Sequence, residues 1–325
     1  MNFNKAWHRG RQFGGIHLFF AYWQIGVGGV ALKQLLKTLC GRAPYDTAYN
    51  AIRRNVNRTL QIRYINYLKG RKEYYDGIEL ERKRSNKVWT CWLQGFEDAP
   101  ELVKVCQESL KKHLSDREII QMTYENYNNY VTLPEDIIRK YEKGKIPPAL
   151  FSDMLRLELL LKYGGTWMDA TILCTGNHYS KEIFDCDLFM FQSLRKGDDR
   201  FYGTSNWFIT ACSNNRILLV LRDVLYQYWQ DYSVTMNYYM FHDFFYAIAQ
   251  LYPEEIATMP RKNRLLPLML MQRMGDMYDE KWMAELMKRC CFHKLNYRIS
   301  DAVKDDKDNF YHAVISRQYE MIFRG

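Results

Sequence analysis

From residue 87 onward, the pattern of hydrophobic and polar positions switches repeatedly between strand-like and helix-like segments. The segment Lys87–Gln94 is rich in residues that favour β-structure, and Gly95 ends it. Helical spacing of apolar residues is clearest at 151–163 and 217–229. Further strands are predicted at 118–123, 166–172, 187–192 and 205–211. Strands that alternate with helices predict an α/β fold with a mostly parallel sheet.

Residues before Lys87 follow a different pattern. An uncharged run at 12–32 is followed, at 47–75, by apolar residues at helical spacing between arginines. The charged run 79–87 then predicts a linker. We therefore predict a basic, helical, membrane-associating extension at 1–86 and an α/β domain at 87–325.

The uncharged run at 12–32 has three interpretations: an interfacial membrane segment, a spanning anchor, or a helix buried on the α/β domain. The run is long enough to span a bilayer, but His17, Gln24 and five glycines raise the cost of insertion. An interfacial segment fits this composition best. A cleaved secretory signal fits poorly, because no small-x-small cleavage site stands out.

The formal net charge of +9 is concentrated at the N-terminus. Residues 1–87 hold 17 Lys and Arg against 5 Asp and Glu, whereas the remaining residues hold 29 against 32. A basic leader of this kind suits an anionic membrane surface, and no zinc finger, helix-turn-helix or RNP-type sequence indicates a nucleic acid. Exposed helix faces are the alternative explanation. The eight cysteines include no Cys-x-x-Cys pair, which favours a reducing compartment.

The stretch 151–176 joins an apolar helix to a strand that carries acid groups. Gly164 and Gly165 are predicted to end the helix, because glycine tolerates a left-handed backbone. Asp169 and Thr171 are then predicted to share one face of the strand, which places a carboxylate beside a hydroxyl. Two oxygen donors of this kind suit a divalent cation.

Asp153 and Arg156 lie three residues apart on the preceding helix. They are expected to share a face of that helix and to act together on a polar ligand. The alternative is a solvated ion pair, which contributes about 0.3–0.5 kcal/mol. Asp169 has a comparable alternative as a turn cap.

The run SDMLRLELLLKYGGTWMDAT resembles the signature of the capsular polysaccharide synthesis proteins, glycosyltransferases of the GT-A type related to glycosyltransferase family 32. The clostridial glucosylating toxins and yeast mannosyltransferases share its pattern of Asp-x-x-Arg, Tyr-Gly-Gly and an aromatic residue before Asp-x-Asp. The resemblance implies a nucleotide-sugar-binding, Rossmann-like mixed sheet flanked by helices. It implies that Asp153 and Arg156 hold the donor sugar's hydroxyls, and that Asp169 holds the ribose and a metal ion, Mn²⁺ or Mg²⁺. Thr171 stands where the motif has its second Asp, and is the other expected metal ligand.

The resemblance covers residues 87–297 and implies further contacts with the donor. The sequence W-x-QG implies that the nucleobase binds near Trp92 and Gln94. An Asn-Trp-Phe-Ile element implies that Asn206 and Trp207 face the donor. Each of these residues has a structural alternative, either in the core or in a turn.

Two more pairs of residues are candidates for the site. His293 and Lys294 lie in the last family-like piece, where they can meet the charge of a diphosphate. His242 and Asp243 are the interior titratable pair of an aromatic helix, and are candidates for acid–base chemistry or contact with the acceptor. The alternatives are solvated surface groups for the first pair and a core histidine for the second.

The resemblance implies a metal-dependent hexosyltransferase that moves a sugar from a nucleotide-diphosphate donor, UDP-linked, to a hydroxyl of a growing glycan or lipid-linked glycan. Retaining enzymes of this kind let the leaving diphosphate take the acceptor's proton, so they need no spaced pair of carboxylates. The basic leader predicts a peripheral position on the cytoplasmic face of the cell membrane. One alternative is a catalytically silent nucleotide-sugar or glycan binding protein, because Thr171 replaces an expected Asp. Another is a basic scaffold on the membrane surface.

Overall fold

The computed structural model of the chain describes residues 15–79, 81–195, 201 and 203–322. These residues group into two compact units. The first, called here the helical unit, comprises the described residues of Met1–Leu80, Thr132–Leu157 and Arg216–Ile256. The second, called the sheet unit, comprises those of Glu81–Val131, Glu158–Asn215 and Ala257–Gly325.

The helices and strands are numbered in chain order. They are α1 (Gly15–Gln24), α2 (Gly28–Leu39), α3 (Tyr45–Gly70), α4 (Lys72–Asp76), β1 (Lys87–Cys91), α5 (Glu101–His113), β2 (Glu118–Met122), α6 (Glu135–Glu142), α7 (Pro148–Tyr163), β3 (Gly165–Met168), β4 (Ile172–Cys174), β5 (Leu188–Gln192), β6 (Thr204–Ala211), α8 (Arg216–Asp231), α9 (Met240–Leu251), α10 (Pro253–Ala257), α11 (Leu265–Gln272), α12 (Glu280–Arg289), β7 (Phe292–Lys294), α13 (Asp301–Asp305) and α14 (Phe310–Ile315). Short 3₁₀ segments lie at Tyr127–Asn129, Lys181–Ile183 and Gln318–Met321.

The sheet unit is built on a five-stranded sheet with the strand order β2-β1-β3-β6-β5. Strand β1 pairs in parallel with β2 and β3, whereas β6 pairs antiparallel with β3 and β5. Leu110 of α5 joins a core that includes Val88, Met168 and Phe208 from three of the strands. These observations confirm the predicted α/β fold with a mixed sheet flanked by helices. The expectation of a mostly parallel sheet is wrong, because two of the four strand pairings are antiparallel.

The strand predicted at 166–172 is in fact two strands in different sheets. Strand β3 ends at Met168, and the amide of Asp169 donates to the carbonyl of Trp207 at 2.9 Å. The chain then turns, since the amide of Ile172 donates to the carbonyl of Asp169 at 3.0 Å. Strand β4 follows and pairs antiparallel with β7 in a separate two-stranded sheet. Asp169 and Thr171 therefore lie in a turn, not on one face of a strand.

The two glycines between α7 and β3 are required by backbone geometry. Gly164 has a φ of +69° and Gly165 a φ of +98°, values that favour glycine. A Cβ at Gly165 would also overlap the carbonyl oxygen of Lys87, because β3 lies directly beside β1. The indole of Trp89 donates to the carbonyl of Gly164 at 2.9 Å and fixes the start of the strand.

The helical unit contains the N-terminal helices. The uncharged run at 12–32, of which residues 12–14 lie outside the described part, forms α1 and the start of α2, and Gly26 with a φ of +77° separates the two helices. Among residues 15–79, 81–195, 201 and 203–322, no helix combines the length and the apolar character needed to cross a membrane.

Helix α3 packs against two helices that come much later in the chain. Its apolar face is buried through Val56, Leu60, Tyr64 and Leu68. The ring of Tyr64 meets the ring of Phe244 on α9, with centroids 4.9 Å apart, and its hydroxyl donates to Asp231 on α8 at 2.8 Å. The two compact units divide the chain differently from the predicted boundary at 86/87, and that boundary stays a prediction.

Candidate active site

The carboxyl ends of two neighbouring strands bring the predicted donor-binding residues of the sheet unit together. Because β1 and β3 are parallel neighbours, the segments that follow them leave the sheet at the same edge. Trp92 and Gln94 follow β1, and Asp169 follows β3. Ligands of open α/β sheets bind outside this edge.

Asp169 is held at this edge by contacts of its backbone and of both carboxylate oxygens. Its amide is bonded to the carbonyl of Trp207, as described above, and its Oδ1 accepts a hydrogen bond from the indole Nε1 of Trp167 at 3.0 Å. Its Oδ2 lies 3.4 Å from Nζ of Lys294, and the Asp169 side chain is 26% exposed. The carboxylate is thus oriented by its neighbours and still reachable from solvent.

Lys294 joins Asp169 to Thr171. Its ammonium donates to Thr171 Oγ1 at 2.6 Å and to the carbonyl of Leu295 at 3.2 Å. The register of the small sheet places Lys294 opposite Ile172, next to the turn that holds Asp169. We call Asp169, Thr171 and Lys294 the ammonium cluster. Sequence resemblance predicted its members one by one, but not their contact.

The resemblance assigns a Mn²⁺ or Mg²⁺ ion to Asp169 and Thr171 of the ammonium cluster. Asp169 offers a carboxylate and Thr171 a hydroxyl, but both face the positive charge of Lys294 at 3.4 and 2.6 Å. Within the described part of the chain, no group of three or more His, Cys, Asp or Glu side chains is arranged to hold a metal ion. In this arrangement, the oxygen atoms of Asp169 and Thr171 fit an ammonium group and do not fit a divalent cation. Metal binding by Asp169 and Thr171 stays a prediction from the resemblance.

Trp92 lies beside the turn of the ammonium cluster. Its half-buried ring packs against a small cluster that includes Ala170, and meets the ring of Tyr297 edge-on with centroids 4.9 Å apart. Gln94 is exposed two residues further on. The sequence analysis missed Tyr297, although an aromatic residue three positions after Lys294 was a usable signal. The two rings offer an apolar flank to a ligand at the cluster.

Trp207 contributes to the site through its backbone. Its indole is buried and stacks on the ring of Phe191, with centroids 4.8 Å apart, and its contact with a donor stays a prediction from the resemblance. Its carbonyl holds the amide of Asp169. Asn206 is half-buried, and its contact with a donor stays a prediction.

His293 is fully buried and offers no exposed atom to a donor. Its Nε2 lies 3.1 Å from Thr175 Oγ1, and burial lowers the pKa of the imidazole to about 3. Neighbouring residues of a strand point to opposite faces, so Lys294 reaches the ammonium cluster while His293 enters the core. The predicted contact of His293 with the diphosphate finds no support in this position.

The helical unit holds the other predicted pair, Asp153 and Arg156. Arg156 Nη1 lies 3.1 Å from Asp153 Oδ1, and both residues are buried. Arg156 also donates to Ser152, from Nε to the carbonyl at 3.2 Å and from Nη2 to Oγ at 3.1 Å. The guanidinium lies 6.0 Å from the ring centroid of Phe241 on α9. The burial excludes a solvated surface pair, and donor binding by the two residues stays a prediction.

His242 and Asp243 follow Phe241 on α9 and are half-buried. Asp243 Oδ2 accepts a hydrogen bond from Asn237 Nδ2 at 2.5 Å. Burial raises the pKa of the Asp243 carboxyl, and the hydrogen bond from Asn237 and the charge of Arg53 oppose this shift. The carboxyl is partly desolvated, as in many acid–base groups, but its catalytic role stays a prediction.

Comparison with known proteins identifies the family. The family model described as "Capsular polysaccharide synthesis protein" matches residues 42–314. This match begins before α3, so the family region includes the helix that the sequence analysis left outside the resemblance. A solved structure described as "PaToxG Glycosyltransferase" is similar at 15% sequence identity and a TM-score of 0.37, and the alignment covers 83% of this chain and 96% of that chain. No curated protein matches the chain. The family match, which confirms the resemblance inferred from the motif, shows that the chain belongs to the capsular polysaccharide synthesis protein family.

Proposed function

We propose that this protein is a glycosyltransferase, more specifically a hexosyltransferase that uses a nucleotide-diphosphate sugar, UDP-linked, to extend a capsular or other cell-surface glycan. The observation that supports this most is the ammonium cluster at the carboxyl edge of β1 and β3. Anionic ligands with sugar hydroxyls match a site that combines an ammonium, a carboxylate and a hydroxyl. The family supports a product in the capsule.

The donor's parts find complementary groups in the sheet unit. Lys294 carries a compact positive charge suited to a diphosphate. Asp169 can accept hydrogen bonds from the ribose hydroxyls, and its orientation is fixed by Trp167. The edge of the Trp92–Tyr297 pair offers an apolar surface for a nucleobase. In this assignment, Gln94 remains a candidate for hydrogen bonding to the base.

We propose transfer with retention at the anomeric carbon. A retaining glycoside hydrolase needs two carboxyl groups about 5–5.5 Å apart, one of which attacks the sugar. The ammonium cluster holds a single carboxylate, Asp169. Front-face attack by the acceptor hydroxyl, with the leaving diphosphate taking the proton, requires no second one. The acceptor is a hydroxyl of a glycan or of a lipid-linked glycan.

A screen of nucleotide sugars tests the donor assignment without knowledge of the acceptor. The full-length protein is incubated with UDP- and GDP-linked sugars, once with Mn²⁺ and once with EDTA, and release of free sugar is measured. We expect slow hydrolysis of one donor, reduced at least about tenfold by Asp169→Asn, because a charged hydrogen bond is worth about 1.5–3 kcal/mol.

Asp276→Asn is the matched control for this experiment. It makes the same chemical change in an exposed carboxylate, which pairs with Arg273 at 2.9 Å in the same unit. Its hydrolysis rate should equal that of the wild type. A donor that binds to the protein but is never hydrolysed favours the alternative, a catalytically silent nucleotide-sugar binding protein. A chain that neither binds nor hydrolyses any donor contradicts the proposed function.

We also propose that the protein works as a peripheral protein on the cytoplasmic, anionic face of the membrane. The support comes from α2, which presents its apolar side to solvent. Leu32, Leu35, Leu36 and Leu39, called here the leucine stripe, follow the i, i+3, i+4, i+7 spacing of one helix face and are all exposed. The residues of α2 that are buried are small, Gly28 and Ala31. This is the reverse of the usual amphipathic pattern, in which the leucines face the protein.

The charges beside the leucine stripe favour a membrane over a second copy of the chain. Lys33 and Lys37 lie on α2 and Arg42 follows it, and all three are exposed. Two copies meeting through the stripe would bring these positive charges together, whereas anionic head groups would neutralise them. Trp23 and Phe20 of α1 are also exposed and extend the apolar surface. A helix of this composition lies in the interface plane with its apolar face inserted.

Vesicle flotation with two charge-matched double variants tests this location. Leu35→Glu/Leu36→Glu places two charges in the stripe, at side chains 49% and 52% exposed. Ile62→Glu/Leu265→Glu places them at apolar residues outside it, 53% and 60% exposed. We expect the first variant to bind vesicles of phosphatidylcholine and phosphatidylglycerol at least about tenfold more weakly than the second, because each inserted leucine contributes about 1.5–3 kcal/mol. Equal binding by both variants, or none by the wild type, contradicts the proposal.

A further inference from the structure

The ammonium group of Lys294 lies between the two side chains that the resemblance assigns to a metal ion. Its Nζ is 3.4 Å from Asp169 Oδ2 and 2.6 Å from Thr171 Oγ1. Backbone pairing fixes this position: Ile172 lies opposite Lys294 in the small sheet, and the amide of Leu295 donates to the carbonyl of Thr171 at 3.0 Å. The register of β4 and β7, and not a side-chain contact alone, therefore sets the ammonium between the carboxylate and the hydroxyl.

The charges of this cluster explain the departure from the motif. Two carboxylates and a divalent cation form a neutral set, and so do one Asp, one Thr and one Lys. A second carboxylate beside Lys294 would leave one negative charge uncompensated, at a site that has to receive an anionic diphosphate. Thr171 and Lys294 therefore complement each other. Thr171 in place of Asp removes one negative charge, and the Lys294 ammonium in place of a divalent cation removes one positive charge.

The ammonium retains the capacity to bind a ligand. Thr171 Oγ1 and the carbonyl of Leu295 accept two of its three N–H groups, at 2.6 and 3.2 Å. Within the described part of the chain, the contact that remains for the third N–H group is the longer ion pair with Asp169, at 3.4 Å. The Lys294 side chain is 21% exposed, so a phosphate oxygen can reach it.

On the basis of the proposed glycosyltransferase function, we propose that Lys294 replaces the divalent cation and supplies the positive charge that stabilises the departing diphosphate. In the transfer step, the bond between the anomeric carbon and the diphosphate oxygen breaks, and its electron pair stays on that oxygen. The acceptor's hydroxyl oxygen forms the new bond to the anomeric carbon, and its proton passes to the diphosphate. Lys294 holds the diphosphate through an ion pair during this exchange, and no other co-reactant is required.

Nucleotide binding tests the replacement independently of turnover. Binding of UDP and of GDP to the full-length protein is measured by calorimetry, in EDTA and in Mn²⁺. We expect the wild type to bind one nucleotide with the same Kd in both conditions. Lys294→Met should weaken this binding about tenfold to a hundredfold, and Lys294→Arg, which keeps the charge, should restore most of it.

Lys87→Met is the matched control for Lys294→Met. Lys87 is also a strand lysine paired with a carboxylate, Glu118, and its side chain is 29% exposed. The two variants lose the same charge from the same unit, so a general effect of charge or of strand stability should appear in both. Only Lys294→Met is expected to change the Kd for the nucleotide. Equal weakening by both variants would overturn the specific role of Lys294.

A gain-of-metal variant provides a second, spectroscopic readout. Thr171→Asp/Lys294→Ala restores two carboxylates and removes the ammonium, so it should bind Mn²⁺ and need Mn²⁺ for nucleotide binding. Electron paramagnetic resonance of added Mn²⁺ measures this directly, and wild-type protein should leave the free-ion signal unchanged. The double variant remains informative even where Lys294→Met fails to fold.

The outcomes separate this inference from the function on which it rests. Wild-type protein that binds UDP or GDP only when Mn²⁺ is present, and loses binding in EDTA, overturns the replacement by Lys294 but leaves a metal-dependent glycosyltransferase. Protein that binds neither nucleotide and hydrolyses no nucleotide sugar in either condition overturns the proposed function itself. Metal-independent binding that Lys294→Met leaves unchanged overturns the role of Lys294 alone.

Discussion

Arg156 Nη1 lies 3.1 Å from Asp153 Oδ1 in the interior of the helical unit, where the two side chains are only 5% and 6% exposed. An exposed ion pair contributes about 0–1 kcal/mol, so its loss is barely measurable. A buried pair behaves differently, because removal of one partner leaves the other charge without compensation in a region of low polarity. Variants of Asp153 and Arg156 can therefore test both the stability of the protein and its binding of the donor.

Asp153→Asn is expected to lower the free energy of unfolding, by up to about 3–5 kcal/mol, since it removes the buried carboxylate from its ion pair with the Arg156 guanidinium. Asp153→Leu/Arg156→Met replaces the whole pair by apolar side chains and should recover most of this loss. Urea denaturation of the three proteins measures the effect. A single variant as stable as the wild type would contradict the burial of the pair.

The double variant also isolates the predicted role of the pair in catalysis. If Asp153 and Arg156 hold the donor's hydroxyls, the folded double variant should lose about tenfold to a hundredfold in kcat/KM for the donor found in the screen. Wild-type kinetics from a stable double variant would show that the pair is structural. The stability measurement on the same sample excludes unfolding as the cause.

Gly165→Ala is expected to lower the free energy of unfolding by at least about 2 kcal/mol. The φ of +98° is strained for alanine, and the new Cβ would overlap the carbonyl oxygen of Lys87 on the neighbouring strand. Gly70→Ala is the control, because Gly70 ends α3 and the space around its added Cβ is open. That control should be neutral or slightly stabilising. Equal stability of both variants in urea would contradict the close approach of β1 and β3.

Removal of residues 1–86 should destabilise the remaining chain. Tyr64 and Leu60 of α3 are buried. Without α3, Phe244 and Tyr228 would lose their ring contacts with Tyr64 and become exposed to solvent. Each large side chain uncovered costs about 1.5–3 kcal/mol. Removal of residues 1–44 keeps α3 and should retain cooperative unfolding, as measured by circular dichroism. A soluble fragment 87–325 that unfolds cooperatively would support the boundary predicted from the sequence.

His293 should make the protein less stable below neutral pH. Burial lowers its pKa to about 3 in the folded protein, whereas the unfolded chain takes up the proton near its ordinary pKa of about 6.5. The unfolded state therefore binds more protons between these values, and stability is complete above about 6.5 and is lost as the pH falls towards 3. At pH 5 the loss attributable to His293 is about 2 kcal/mol, at about 1.4 kcal/mol per pH unit.

His293→Asn is the comparison for this pH dependence. Asparagine does not titrate and can keep a hydrogen bond to Thr175, so the variant should lose less stability than the wild type between pH 7 and pH 5. Urea denaturation at the two pH values gives the difference. Parallel pH profiles of the two proteins would show that His293 is accessible to protons in the folded state.

The parts of the fold that depend on local pattern could be predicted from the sequence. The leucine-rich helix, the two glycines that end it and the alternation of strands and helices all follow from spacing and backbone preference. The end of β3 at Met168 could not be predicted in this way. The chain turns there, with the amide of Ile172 on the carbonyl of Asp169, while the carbonyl of Trp207, nearly forty residues later, takes the amide of Asp169.

The same distinction holds for the candidate active site. The resemblance pointed to Asp169, Thr171 and Lys294 separately, but the contact between Thr171 and Lys294 joins residues 123 positions apart. That contact exists because β4 pairs with β7 in one register, and no short-range pattern encodes such a register. The burial of His293 could not be predicted for the same reason. Strand β7 directs Lys294 towards the ammonium cluster, so the neighbouring His293 points into the core.

The partners of Tyr64 have a consequence for the order in which the chain folds. Phe244 follows Tyr64 by 180 residues, and the helices that carry these residues bury each other in the helical unit. During synthesis at about 5–20 residues per second, α3 is made roughly 10–40 s before its partners. The chain that will form most of the sheet unit is made in the interval. A nascent chain therefore carries an uncovered apolar helix while its later segments are translated, and closing so long a loop makes docking of α3 a late and slow event.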